Sequence, residues 1–134
     1  MSGGEFCLPV RVYYEDTDAA GIVYYANYLK FAERGRTEML RAAGYDHRSL
    51  REEHDLVFAV RRCSADYRKP ARLDDLLEVR TRLSSSGGAR FSMEQLICRD
   101  GELLVRVDVE LAVLSASLRP RRLPPELAEA LASA

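Results

Sequence analysis

Three observations predict an α+β fold in which one long helix packs on a five-stranded antiparallel sheet. A single helix-period run covers residues 23–43, the apolar period then changes to two as far as residue 113, and turn-forming residues separate the later runs. Strands gathered after a helix, in place of strands alternating with helices, argue against a doubly wound sheet.

Residues 9–15 place Val10, Val12 and Tyr14 on one phase and Arg11 on the other, the pattern of a short strand. A loop carrying two aspartates and a glycine follows. From 23 to 43, Tyr25, Tyr28, Leu29, Ala32, Met39, Leu40 and Ala43 form one stripe of a helix that Gly44 stops. Gly35 inside that run costs about 1 kcal/mol relative to Ala, which fits a close approach of the helix backbone to its neighbour. A shorter helix is expected over 46–53.

The next strand covers 56–67. Its phase slips, with Phe58 and Val60 giving way to Cys63, Ala65 and Tyr67, and a bulge near Arg61-Arg62 accounts for the slip. Leu77, Val79, Thr81 and Leu83 alternate with Glu78, Arg80 and Arg82; Phe91, Met93 and Ile97 share a phase. Leu103, Val105, Val107, Val109, Leu111 and Val113 alternate with Arg106, Asp108 and Glu110. Each strand thus has one apolar and one more polar face, as in an antiparallel sheet. Asp100-Gly101 marks a tight hairpin, and Ser84-Ser85-Ser86-Gly87-Gly88 reads as a loop. Pro120, Pro124 and Pro125 end the sheet region, and a last short helix is expected over 126–132 with Pro125 near its start. One helix cannot cover five strands and the sheet keeps open edges, so dimerisation is the expected remedy.

At 134 residues the chain suits one domain over 1–134, with its core over about 9–115 and a C-terminal tail over 116–134. Its 47% hydrophobic and 31% charged residues describe an ordinary globular protein, and 20 basic residues nearly cancel 21 acidic ones. That balance gives no support to strong global attraction for nucleic acid or an anionic membrane. Met1-Ser2-Gly3-Gly4-Glu5-Phe6 lacks the basic and apolar regions of an export signal, and no apolar run approaches the ~20 residues needed to span a bilayer. Cys7, Cys63 and Cys98 are odd in number and far apart, so a disulfide framework or a zinc site is not expected. These features predict a cytoplasmic protein.

Chemistry concentrates in Asp16-Thr17-Asp18-Ala19-Ala20-Gly21-Ile22-Val23-Tyr24-Tyr25-Ala26-Asn27-Tyr28-Leu29. This order sets a carboxylate beside the start of a helix, where free backbone N–H groups can polarise a carbonyl. Asp18 is the candidate nucleophile or general base, while Asp16 is expected to order the loop. Glu33, Arg34, Arg36 and Glu38 lie at spacings that allow ion pairs on a solvated or interfacial face. His47 and His54 read as surface or loop residues, and Arg119, Arg121 and Arg122 as a solvated tail. Gly-x-Ser-x-Gly is absent, so a serine-hydrolase elbow has no support.

The run from Tyr14 to Leu29 resembles the signature of hotdog-fold thioesterases. The likeness is to the 4-hydroxybenzoyl-CoA thioesterase-like group, closest to its Tol–Pal-associated acyl-CoA thioesterase branch. It continues through Phe31-Ala32-Glu33-Arg34-Gly35-Arg36-Thr37-Glu38-Met39-Leu40 and Tyr67-Arg68-Lys69-Pro70-Ala71-Arg72-Leu73-Asp74-Asp75, covering about 9–115. The resemblance implies hydrolysis of an acyl-CoA thioester to a free acid and CoA, without metal or cofactor. It implies Asp18 as the catalytic aspartate and the Tyr25 backbone amide on the thioester oxygen, with Gly21 and Val23 beside the substrate. Members of the closest branch often carry His where Tyr25 stands; the backbone N–H is unaffected by that change. Arg90, just after Gly87-Gly88, falls near the region that contacts the CoA phosphates in related enzymes. A homodimer or homotetramer is implied, with the thioester across the dimer interface, acyl carrier protein as an alternative donor, and a location in the cytoplasm or peripheral to the inner membrane. Two rival functions are a hotdog enoyl-thioester hydratase, which usually relies on a suitably placed His, and a non-catalytic module that binds acyl thioesters or acyl carrier protein.

Overall fold

Antiparallel ladders join the period-two runs into one five-stranded sheet in the computed structural model, which describes residues 4–134. Residues 1–3, on which part of the export-signal expectation rests, lie outside the described residues. The elements are β1 (Phe6–Arg11), α1 (Asn27–Ala42), α2 (His47–His54), β2 (Val57–Tyr67), β3 (Leu76–Gly87), β4 (Arg90–Arg99), β5 (Glu102–Leu114) and α3 (Pro125–Ala132). The strand order is β1-β3-β4-β5-β2, leaving β1 and β2 at the edges.

Alternation sorts each strand's side chains. Phe91, Met93, Gln95 and Ile97 of β4 are buried on the side that faces α1. Arg90 and Glu94 point to the other side, where Glu110 pairs with Arg61 and Arg90, and Glu94 with Arg82 and Arg106. The bulge falls where the phase slip indicates, with the β2–β5 register skipping between Val60 and Arg62. Asp100 and Gly101 both have positive φ, at 51° and 81°, and make the two-residue turn between β4 and β5.

Four expectations are corrected. β1 ends at Arg11, and Tyr14 lies exposed in a 3-10 turn over Tyr14–Asp16 that the Asp16 carboxylate closes by accepting the Tyr13 N–H at 2.8 Å. α1 starts at Asn27 and not at 23, because Val23 is held in a bridge to Thr17 and donates its N–H to Ala71 O at 2.9 Å. The serine run is strand: Ser85 pairs with Ser92 and Gly87 with Arg90, so the turn shrinks to Gly88-Ala89. The core also extends past residue 115. Leu123, Leu127 and Leu131 are buried with Met39, Leu40, Phe91 and Leu111, so α3 covers sheet that α1 does not reach.

Candidate active site

Between β1 and α1 the chain makes a short ladder that carries the sequence-predicted residues. Asp16 O accepts the Tyr24 N–H at 2.9 Å, Thr17 bridges Val23, and the Asp18 N–H donates to Ile22 O at 2.9 Å. The turn at its tip is closed by the Gly21 N–H on Asp18 O at 3.0 Å, with Gly21 at φ +78°. A β-carbon at Gly21 would meet no neighbour, so the glycine is there for its backbone conformation. Ile22 also bridges Arg72, which fastens this ladder to the segment leading into β3.

Asp18 therefore stands on a turn, exposed, and its Oδ1 accepts one hydrogen bond, from the Ala20 N–H at 2.8 Å. Its other oxygen has no partner among the described residues. The ladder's other end enters α1. There the N–H groups of Tyr24, Asn27, Tyr28 and Leu29 all have backbone acceptors, whereas those of Tyr25 and Ala26 have none among the described residues. Open N–H groups at a helix start form a site for negative charge or a polarised carbonyl oxygen.

A cavity of about 310 Å³ opens at this helix start, lined by Ile22, Val23, Tyr25, Tyr28, Tyr67, Arg68, Lys69 and Pro70. The Tyr25 and Tyr67 rings meet edge to face at 6.1 Å, and Tyr67 lies 5.7 Å from Tyr28. Buried Tyr28 accepts the Ala71 N–H on its hydroxyl at 2.9 Å, and burial pushes its pKa above the ordinary tyrosine value. Val23 contributes to the cavity from a side chain that is itself packed in the core.

Arg90 lies elsewhere. The aspartate ladder joins the sheet where β3 begins, through Ile22 to Arg72 and the Asp74 N–H to Val12 O at 3.0 Å. Arg90 follows the far end of β3, a strand of 12 residues, whose ends at ~3.3 Å per step lie roughly 35 Å apart. It pairs there with Glu110 at 3.2 Å.

Sequence reasoning missed Tyr67, which reaches the site only through the β2–β5 pairing, and Asn27, which looked like one more helix residue. It also missed a second cavity of about 110 Å³, lined by Arg36, Thr37, His47, Phe58 and Met93 among others. The expected pairs along α1 do not form: Glu38 binds Arg41, and Arg36 turns beneath the helix to donate to Gln95 Oε1 at 3.0 Å. Burial lowers the Arg36 pKa. Arg121 is also tied down, donating to Asp55 O at 2.9 Å and His54 O at 3.3 Å at the end of α2.

A central helix laid on a five-stranded antiparallel sheet, with an aspartate turn leading into the helix, defines a hotdog protein of the thioesterase type. The chain belongs to the thioesterase-like superfamily, whose pattern matches residues 12–131. The acyl-CoA thioesterase YbgC of Haemophilus influenzae is 44% identical over 128 residues, covering 95% of this chain and 94% of that protein. The acyl-CoA thioester hydrolase YbgC of Escherichia coli O6:H1 is 42% identical over 125 residues, covering 91% of this chain and 92% of that protein. Among solved structures, a probable thioesterase from Bartonella henselae superposes with a TM-score of 0.85 at 42% identity, covering 90% of this chain and 100% of the other. A 4-hydroxybenzoyl-CoA thioesterase bound to 4-hydroxybenzoyl-CoA shares the fold at a TM-score of 0.88 and 21% identity, over 95% of this chain and 98% of the other.

Proposed function

We propose that this protein hydrolyses acyl-CoA thioesters to a free carboxylic acid and CoA. The observation that carries the reading is an exposed Asp18 carboxylate with one hydrogen bond at the tip of a short ladder whose other end leads directly to the open Tyr25 N–H. The two YbgC relatives, an acyl-CoA thioesterase and an acyl-CoA thioester hydrolase, agree with it.

The Tyr25 N–H binds the thioester oxygen and stabilises the negative charge that develops on it, a contribution worth several kcal/mol in comparable oxyanion sites. Asp18 acts in one of two ways. As general base it takes a proton from water while the water oxygen attacks the carbonyl carbon; the C–S bond then breaks and the thiolate leaves, to be protonated. As nucleophile it forms an anhydride with the acyl group, expels the thiolate, and is released when water opens the anhydride. Gly21 shapes the turn that presents Asp18, and Val23 anchors the ladder beside the acyl cavity.

The functional unit is a homodimer built on the open edge of β2. Every residue of β2 is exposed or partly exposed, Val60 at 52% and Tyr67 at 43%. Antiparallel pairing of two such edges brings the β3–β4 turn of one copy to the end of the sheet where the other copy holds Asp18. Arg90 is therefore assigned to the CoA phosphates of the opposite copy's substrate, because roughly 35 Å of strand separates it from its own Asp18.

Free-thiol release from short-chain, long-chain and aromatic acyl-CoA esters, with acyl carrier protein thioesters alongside, tests the reading. Turnover of at least one CoA ester is expected. Turnover of carrier-protein thioesters alone would reassign the thiol carrier. No turnover of either would overturn hydrolysis and favour a binding module.

A further inference from the structure

We infer that Asn27 is a positioning residue for this reaction, using Asp16 to lock Asp18 and the Tyr25 amide into one rigid unit. The inference rests on the reading of Asp18 and the Tyr25 amide given above. Asn27 is the first residue of α1 and only 9% exposed. Asparagine near a helix start commonly accepts from the helix's own N–H groups. Here the preceding Ala26 occupies the cap position, which has no side-chain cap, and the Asn27 side chain turns backward as a donor. Its Nδ2 donates to Asp16 O at 3.3 Å and to Asp16 Oδ1 at 3.4 Å.

The consequence is a clamp on Tyr24. The Asn27 N–H donates to Tyr24 O at 2.8 Å, and the Tyr24 N–H donates to Asp16 O at 2.9 Å, the same oxygen that Asn27 Nδ2 approaches. Both backbone groups of Tyr24 are thus spoken for by the Asp16–Asn27 pair, and the next N–H, that of Tyr25, is held open. Toward the turn, the same Asp16 begins the rungs that end at Asp18. Asp16 is 8% exposed and its other oxygen accepts the Tyr13 N–H at 2.8 Å, so the acceptor is itself fixed. An amide buried this deeply is costly to leave unpaired, which makes the clamp stiff. Asn27 does not line the cavity at Tyr25, so it acts through its neighbours and not on the substrate.

The test compares kcat and KM of wild type, Asn27→Leu, Asn27→Ser, Asp18→Asn and the Asp18→Asn/Asn27→Leu double variant on one hydrolysed thioester. Displacing reacting groups by about 1 Å can cost ~100-fold, so both Asn27 variants should lose about that much kcat with KM within about twofold. Groups that act as a unit lose activity together, so the double variant should be far faster than the product of the two single losses. Asn27→Ser keeps a polar group in the space and serves if the leucine variant does not fold. Full kcat in a folded Asn27 variant, a rise confined to KM, or losses that multiply in full would overturn the inference while the functional reading stands. A wild type inactive on every thioester would remove both.

Discussion

Gly35 lies where α1 crosses the sheet, and a β-carbon there would come within 2.7 Å of Val79 Cγ1, 3.0 Å of Thr81 Oγ1 and 3.1 Å of Gln95 Nε2. Two of those neighbours cannot yield freely. Gln95 is fully buried and donates to Ala32 O at 2.7 Å and to Thr81 Oγ1 at 2.9 Å, while its Oε1 holds Arg36. Gly35→Ala should therefore destabilise the protein by about 1–2 kcal/mol, overpacking outweighing the ~1 kcal/mol gain in helix propensity, as measured by urea unfolding. Equal or higher stability would show that the helix can lift away from the sheet. The glycine's purpose was legible in the sequence because a glycine inside a helical stripe has few other uses. Gln95 was not, since a polar residue in an apolar phase looks like a break in the pattern until its partners are known. The same contrast holds at the site. Asp18, Gly21 and Tyr25 are close in sequence and readable as one motif, whereas Asn27 takes its meaning from a hydrogen bond eleven residues back to Asp16.

At the scale of elements, turn chemistry and periodicity identified α1, α2, α3, the bulged β2 and the β4–β5 hairpin. They failed where tertiary pairing overrode local preference. Ser84–Ser86 have loop composition, yet β4 supplies partners for Ser85 and Ser86, the register skips over Ser84, and the strand continues. Residues 23–26 have the apolar content of a helix, yet Val23 and Tyr24 are held in the aspartate ladder, and only the carbonyls of Tyr25 and Ala26 join the first turn of α1. α2 carries a prediction of its own. Asp46 caps it by accepting the Ser49 N–H at 2.7 Å, and His47 packs its ring against Phe58 at 6.2 Å. Burial, with the Arg41 and Arg36 cations nearby, holds the His47 pKa below its ordinary value, against a smaller opposing pull from Glu33 and Asp46. As pH falls through the ordinary histidine range, the unfolded chain gains a proton that folded His47 resists, so stability falls with pH. Urea unfolding at pH 7 and pH 5 should show that loss, and His47→Gln should reduce it. An unchanged pH dependence in the variant would contradict the assignment.

At the scale of the molecule, three helices share the apolar face of the sheet while its other face carries the Arg–Glu pairs and the β2 edge stays open. The sequence pointed to that imbalance through the number of strands against one long helix, but it could not reveal that Arg90 and Asp18 lie at opposite ends of the sheet. That separation follows from strand order and register. Sedimentation equilibrium should find a dimer or a larger even assembly, and Val60→Arg on the open edge should weaken it. A fully active monomer would contradict an interface-spanning site. The role of Asp18 is measured most directly by the steady-state rate of thiol release by wild type and by folded Asp18→Asn on the best acyl-CoA ester. Participation of Asp18 as base or nucleophile predicts turnover by wild type and a loss of at least about 100-fold in kcat for the variant. Undiminished turnover by Asp18→Asn would contradict it.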